Sequence, residues 1–509
     1  MKASHKVEFG DFQTPISLAH EVCELIRRLG ENPDVVVEPT AGRGAFLLAA
    51  AEKFPSAMLR GWEINRAYVT DSTVALDRAK VSVRSSIICQ DFFTCDWETV
   101  LAAELGRVLI LGNPPWVTNS GIAAIDGTNL PLKENFMGLR GIAARTGKSN
   151  FDISEWMLIR LLRGLRGRTA TLAMLCKTAT ARKFLRYAWQ NDGRIAAAAL
   201  YRIDAAEHFD ASVDACLLYL RTGSAGPQEA DIYPALSARE PVSRIGLAGE
   251  ELVADIRAYR ALGHLEGLSP FRWRSGIKHD CAAIMELVRM PDGGVENTAG
   301  QRLDLEADYI FPLLKCSDLA NGRTIAKRLV IVTQRFVGDD TAAIAAHAPR
   351  TWTYLQTHRD RFQARKSSIY KGRVPFALFG IGEYAFAPWK VAVSGLHRSG
   401  RFQVVGPMNR QPMFFDDACY YLPFEREGDA RLVADILNSP LCQRFLASLV
   451  FTDSKRPFTV DLLQRLNLAA IANETGLGLR WQQLQRSNYA ITANVPQTEF
   501  VMEEPERPA

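Results

Sequence analysis

Val108-Leu109-Ile110-Leu111-Gly112-Asn113-Pro114-Pro115-Trp116 joins a run of branched apolar residues to an abrupt stop. The run reads as a buried parallel strand. Two prolines cannot continue a hydrogen-bonded ladder, so the chain leaves the sheet with Asn113 at the strand's carboxyl end, where open α/β sheets bind their ligands. Trp116 then sets a flat aromatic face beside a side-chain amide and the Pro114 carbonyl. That combination suits a planar ring carrying an exocyclic amine: amide oxygen and carbonyl accept from the amine while the indole stacks on the ring. The same string also fits a strand, a turn and a core Trp, so the rest of the chain must decide.

Upstream, Val35-Val36-Val37-Glu38-Pro39-Thr40-Ala41-Gly42-Arg43-Gly44-Ala45-Phe46-Leu47 reads as strand, small-residue turn and helix. Gly42 and Gly44 let the backbone pass close to a ligand. Glu38 at the strand end would repel a pyrophosphate but can face a cationic amino acid moiety, which favours S-adenosylmethionine over ATP or NAD. A second strand, 57–62, ends on Glu63, placed to accept both ribose hydroxyls of a nucleoside. A third, 83–88, leads to Gln90-Asp91-Phe92-Phe93, where Asp91 can take the amino group of a cofactor adenine and Phe92 can pack on its ring. Four consecutive strands thus end in ligand-capable residues, which points to one site. Ahead of them, Gly10-Asp11-Phe12-Gln13-Thr14-Pro15 precedes a helical pattern through Leu18, Val22, Leu25 and Ile26, with Thr14 also fitting a helix cap.

In order and spacing, these motifs resemble the S-adenosylmethionine-dependent N6-adenine DNA methyltransferases of bacterial restriction-modification systems, in the arrangement where cofactor motifs precede the catalytic motif. The resemblance implies a Rossmann-like α/β catalytic domain with a mixed, mostly parallel seven-stranded sheet, followed by an α+β target-recognition domain. It implies a catalytic set of Asn113, Pro114, Pro115 and Trp116. It also implies a cofactor set of Thr14 (at the methionine carboxylate), Glu38, Pro39, Ala41, Gly42, Gly44, Phe46, Glu63, Ile64, Asp91, Phe92 and Asn113. Tyr or Phe is more usual than Trp in that catalytic motif.

Downstream, residues 117–149 read as a long Gly-, Asn- and Lys-rich loop placed to close over substrate, with Arg140, Arg145 and Lys148 available to phosphates. Asn150-Phe151-Asp152-Ile153 begins an amphipathic helix. A buried strand over 169–176 ends on Lys177, which receives no role. The segment from His208 to Leu220 resembles the one whose aromatic covers the other face of an extruded base, pointing to Phe209, for which a core position is the competing reading. The expected boundaries are 1–225 for the catalytic domain, 226–270 for a linker and helical connection, 271–490 for DNA target recognition and 491–509 for a disordered tail. Within the third segment, Arg361, Arg365, Lys366 and Arg373 surround Tyr370 in a basic stretch that can track a phosphate backbone.

Composition is consistent with this reading. A chain of 509 residues is too long for one core. Its net charge of +5 permits a nucleic-acid partner without requiring one. The nine cysteines include no Cys-x-x-Cys pair, which argues against a disulfide framework and against a zinc site, and no metal is expected. No Pro-Cys dipeptide occurs, so the thiolate setting used for methylation at cytosine carbon is missing. No apolar run approaches a membrane span and no secretion signal opens the chain, so a cytoplasmic, nucleoid-associated protein is expected. Cofactor motifs begin within the first dozen residues and no metal-dependent nuclease constellation follows, so a fused nuclease is not expected. The expected partners are double-stranded DNA and a separate cognate restriction endonuclease, or none. Cytosine N4-methylation uses the same amine chemistry and stays open, as do RNA and protein-glutamine methylation.

Overall fold

The two apolar runs around which the motifs gather, β1 (Val35–Glu38) and β4 (Val108–Gly112), are buried along their whole length and lie side by side in parallel, Val35 opposite Val108 and Val37 opposite Ile110. The computed structural model describes residues 13–117, 152–191 and 194–492, with side chains to 486. Lys148 and the loop beyond Val117 lie outside the described residues, as do Gly10 to Phe12 and the tail beyond 492. The chain divides into two compact units, the first ending at Arg257 and the second beginning at Ala258.

In the first unit, β2 (Met58–Glu63) and β3 (Ser85–Cys89) extend the sheet on one side of β1, and β5 (Ala170–Lys177) follows β4 on the other, all in parallel. The strand order therefore reverses between β1 and β4. At such a switch point the connections leaving neighbouring strands run to opposite faces, and a crevice opens at their carboxyl ends. Beyond β5, β7 (Ala215–Thr222) inserts antiparallel between β5 and β6 (Ile195–Ile203). The expected sheet has seven strands; the observed sheet has ten among the described residues. β8 (Glu229–Tyr233), β9 (Ser243–Ala248) and β10 (Glu251–Val253) extend it past β6. Residues 226–257, read from sequence as part of the 226–270 linker and helical connection, instead cover the edge of β6, and the helix of this segment starts at Ile256. In β8 only Ala230 and Ile232 are buried, and an alternation over five residues is too brief to stand out from a linker.

Helices α1 (Ile16–Arg28), α2 (Ala45–Lys53), α3 (Arg66–Arg78), α4 (Trp97–Ala103), α5 (Ile153–Gly164), α6 (Thr178–Asn191) and α7 (Ala205–Phe209) connect and cover the strands. The cap position of α1 falls on Pro15 without a side-chain cap, so the Thr14 hydroxyl is not spent on the helix end. α2 starts from Gly44 at φ +79°, a conformation open to glycine at little cost, and a Cβ there would stand 3.0 Å from that of Ser72.

The second unit is α+β, as expected. It holds a four-stranded antiparallel sheet, β11 (Arg274–Ser275), β20 (Cys419–Phe424), β17 (Trp389–Ser394) and β18 (Gln403–Val405). A six-stranded sheet follows the order β14 (Arg302–Leu303), β13 (Val295–Asn297), β12 (Glu286–Arg289), β16 (Arg328–Ile331), β15 (Ile310–Leu314) and β19 (Phe414–Phe415). Among the described residues no helix is long and apolar enough to cross a membrane.

Lys390, the second residue of β17, is 1% exposed and its ammonium donates to the Ala387 carbonyl at 2.6 Å. Burial holds its pKa down to about 7, with Glu425 opposing. The unfolded chain keeps this proton to its ordinary value of 10.5. Between the two values the unfolded state binds more protons, so stability rises with pH, and below pH 7 the cost of the buried charge is present in full. Lys390→Met is therefore expected to raise the stability of the second unit near pH 7 by on the order of 2–4 kcal/mol. The gain should shrink as pH approaches 10; denaturant unfolding across that range checks it, and a pH-independent gain would contradict the assignment.

Candidate active site

A cavity of about 540 Å³ opens at the switch point, within the range of nucleotide-sized ligand pockets. Its wall carries the terminal residues of four of the five parallel strands: Glu38 from β1, Glu63 from β2, Asp91 after β3 and Asn113 after β4. Thr14, Pro39, Ala41, Gly42, Ile64, Phe92 and Pro115 complete the predicted residues that line it. Two predicted cofactor residues do not. Phe46 is 1% exposed inside the core, and Gly44 serves the close approach of α2 to α3.

Glu38 is 3% exposed, and its Oε2 is buried without a hydrogen-bond partner. Burial pushes its pKa well above the carboxylate range, the Leu47 amide opposes and the Glu63 carboxylate adds to the rise. A buried carboxylate oxygen facing a cavity is costly unless a cation or donor meets it. Glu63 is held differently: Oε2 accepts from the Gly42 amide at 2.8 Å and Oε1 from the Asn65 amide at 2.8 Å. Each oxygen has further acceptor capacity suited to a pair of vicinal hydroxyls. Gly42 has φ +51°, and a Cβ there would stand 2.8 Å from Gln13 Oε1, which accepts from the Arg43 amide at 3.1 Å. Asp91 sits in an Asx turn, accepting from the Phe93 amide at 2.9 Å. Phe92 packs on Trp97 with ring centroids 4.8 Å apart, which leaves Phe93 and the 44% exposed Ile64 as the more open apolar groups on that wall. An unsatisfied buried carboxylate for an ammonium, a pinned carboxylate for ribose and an apolar end for adenine together fit S-adenosylmethionine.

Sequence reasoning missed several lining residues, among them Gln13, Thr40, Arg43, Asn65, Tyr68 and Phe93. Thr40 ties the two splayed connections together, its hydroxyl donating to the Asn113 carbonyl at 3.3 Å. Tyr68 lies under the Arg43 guanidinium at 5.0 Å, and Arg43 also pairs with Asp71 at 3.3 Å. Asn65 was legible as the cap of α3, where it accepts from the Ala67 amide. Tyr68, in the first turn of that helix, had no such signal.

On the far side of Asn113, Pro114 is buried and Trp116 is 6% exposed, its indole donating to the Leu175 carbonyl at 3.4 Å. Phe209, directed inward by the capping of α7 at Asp204 and its left-handed exit at Asp210, is also 6% exposed. The two rings meet edge to face, with centroids 5.0 Å apart and planes at 68°. A base stacked between them needs about 3.5 Å on each side, so the predicted partners are brought together but against each other, and the pair must part to admit a base.

No family model matches the chain. The chain is 42% identical over 474 residues to the type II methyltransferase M.NspV of Nostoc sp., covering 92% of this chain and 98% of that one. The chain belongs to the type II DNA methyltransferases. As a member, this methyltransferase is a restriction-modification protein that uses S-adenosylmethionine, in agreement with the chemistry of its cavity. Its fold is similar to that of the type IIL restriction-modification enzyme MmeI, solved in complex with DNA, with a TM-score of 0.59 and 13% identity over 91% of the methyltransferase and 69% of MmeI.

The basic stretch of the methyltransferase's second unit separates into two kinds of residue. Arg361, Lys366 and Arg373 are exposed and form no ion pair among the described residues. Arg365 is not available to a phosphate. Its guanidinium lies 3.6 Å from the Tyr370 ring centroid and donates to the carbonyls of Ala377 at 2.8 Å, Phe362 at 3.0 Å and His279 at 3.2 Å. Burial lowers its pKa, and its role is to brace the chain.

Proposed function

We propose that the protein transfers a methyl group to the N6 amine of adenine in duplex DNA at a specific sequence. The observation that carries this reading is the placement of Asn113 and Pro115 on the wall of the cavity that also presents Glu38, Glu63 and Asp91. The adenine amine is a weak nucleophile because its lone pair is delocalised into the ring. With the Asn113 amide oxygen and the Pro114 carbonyl each accepting a hydrogen bond from one amine N–H, the nitrogen becomes pyramidal and its lone pair is directed at an electrophilic carbon. The bond from that carbon to sulfur breaks as the bond to nitrogen forms, and the surplus amine proton leaves to solvent. S-adenosylmethionine, when bound, supplies that carbon as a sulfonium methyl. Glu38, Glu63 and Thr14 hold the polar groups of the cofactor, while Asp91, Phe92, Phe93 and Ile64 hold its adenine. Positioning and electrostatics then carry the chemistry, without a covalent protein nucleophile.

Inside a duplex the amine is out of reach, so the base must leave the stack at a cost of a few kcal/mol. Stacking on Trp116 returns about 1–3 kcal/mol, with Phe209 closing the other face once the two rings part. Nucleoside analysis of DNA treated with the protein and S-adenosylmethionine tests the reading. N6-methyladenine supports it; N4-methylcytosine, or methylation of RNA or protein with duplex DNA untouched, would overturn it.

The second unit is proposed to read the target sequence, with Arg361, Lys366 and Arg373 on the phosphate backbone. Replacing the three by Ser is expected to weaken DNA binding across all sequences and to reduce the slope of log K against log salt by about 2–3. Arg365→Ala should instead lower stability, because three carbonyls lose their donor; binding titrations at several salt concentrations and a melting curve separate the two effects. A separate restriction endonuclease with the same recognition sequence is the proposed cellular partner, and protection of treated DNA from such an enzyme is its test.

A further inference from the structure

The catalytic turn is fastened at two points to the carboxyl end of β5. The indole of Trp116 donates to the Leu175 carbonyl at 3.4 Å. The chain leaving the turn is gripped by a second route. The Val117 carbonyl accepts from the Ile153 amide at 2.9 Å, and the neighbouring Asp152 carboxylate accepts from Lys177 Nζ at 2.7 Å. Asp152 also caps α5, accepting from the Ser154 amide at 3.0 Å and from the Ser154 hydroxyl. Lys177 itself sits on a fixed support, since pairing of β5 with β7 runs to Lys177 opposite Ala215 and the Thr178 amide donates to the Asp214 carbonyl at 2.9 Å. The connections close a ring: Trp116, Val117, Ile153, Asp152, Lys177, Leu175 and back to the indole.

We propose that Lys177 and Asp152 are positioning residues whose ion pair clamps the turn after Pro115, holding Trp116 in the place where it receives the target base. This rests on the reading of Trp116 as the stacking partner. The Asp152 side chain is 9% exposed and that of Lys177 23%, so the carboxylate depends on this lysine for its compensating charge. The surroundings cannot easily absorb its loss. One turn along α5, Glu155 is 2% exposed and already held up to about 7 by burial, with Lys183 opposing and Asp152 adding to the rise. Without Lys177, Asp152 loses its compensating charge and must turn to solvent, and the Val117–Ile153 contact relaxes with it. The cavity wall includes neither Lys177 nor Asp152, so S-adenosylmethionine binding is not affected directly.

The test uses the full chain with Lys177→Met, Lys177→Arg and Asp152→Asn, on the DNA that the unaltered protein methylates. Lys177→Met and Asp152→Asn are expected to lower kcat by about 10–100-fold, the scale of a small misplacement at a reacting centre. Binding of S-adenosylmethionine, measured by calorimetry, should stay at the unaltered level and reports that the variants are folded. Lys177→Arg should restore most of kcat, because a guanidinium rebuilds the pair. With 2-aminopurine at the target position, Lys177→Met should give brighter fluorescence than the unaltered protein, since the extruded base loses its stacking. The clamp is overturned by an unchanged kcat in Lys177→Met. It is equally overturned by Lys177→Arg being as impaired as Lys177→Met, which would assign the amine a direct contact. Loss of cofactor binding together with activity in both Lys177→Met and Asp152→Asn would also overturn it. If the modified base proves to be cytosine, the N6 reading fails while this comparison still runs on the same DNA.

Discussion

Asn113→Ala is expected to reduce the rate of methyl transfer by about 10²–10³-fold, the effect of removing one preorganised group that acts on developing charge. Affinity for DNA should be retained. The backbone at this position is secured independently of the side chain, because the Asn113 carbonyl accepts from Thr40 and the adjoining strand is buried throughout. The truncation therefore removes the amide oxygen and leaves the turn in place. Single-turnover kinetics with saturating S-adenosylmethionine, together with a DNA titration, check the prediction. A variant that loses DNA binding as well would mean that Asn113 supports the turn instead of the amine. A variant with near-normal turnover would remove the amine-holding role altogether.

Glu38→Gln is expected to weaken S-adenosylmethionine binding by about 30–100-fold, the 2–3 kcal/mol typical of a hydrogen bond to a charged group. The same change should stabilise the free protein above neutral pH. The folded-state pKa of Glu38 is raised well above its ordinary value of 4.5, so the native state binds the extra proton. Stability is then greatest below 4.5 and falls as pH rises through the raised value. Glutamine removes that dependence, so the two proteins should melt alike near pH 4 and diverge above it. Binding of the cofactor's ammonium to the unaltered protein should release a proton, seen as a buffer-dependent heat in calorimetry, and Glu38→Gln should lose that signal. Tighter binding in Glu38→Gln would place the carboxylate away from the cationic group. The buried, unpartnered Oε2 thus reads as a cost carried by the free protein for the sake of its ligand.

Much of this site was legible because its residues mark strand ends. The valine, isoleucine and leucine runs that stop on Glu38 and Asn113 announce both a buried element and a polar group at one edge of the sheet, and these two line one cavity with Glu63 and Asp91 from the less buried β2 and β3. Gly42 was legible for a similar reason, since its left-handed backbone leaves no room for a side chain beside Gln13. Tyr68, Phe93 and Thr40 were not. They reach the cavity through the geometry of helix entries and turns, and their types and spacing fit ordinary surface or core positions equally well. Arg365 shows the converse. As a residue it belongs to a basic run, but the carbonyls that capture it come from 279, 362 and 377, and only folding brings them within reach.

The amino-acid sequence by itself determined the parallel core of the first unit, the order of its motifs and the chemistry offered at the four strand ends. Those properties are local: apolar runs make buried strands, and proline, glycine and acidic residues end them in recognisable ways. Tertiary structure alone decided that the sheet runs to ten strands and that Trp116 and Phe209 close on each other. It also decided that Lys177 is spent on Asp152, across 25 positions of chain. Edge pairing, ring-to-ring packing and a partly buried ion pair each depend on distances between residues far apart in sequence, and those distances exist only once the sheet has assembled.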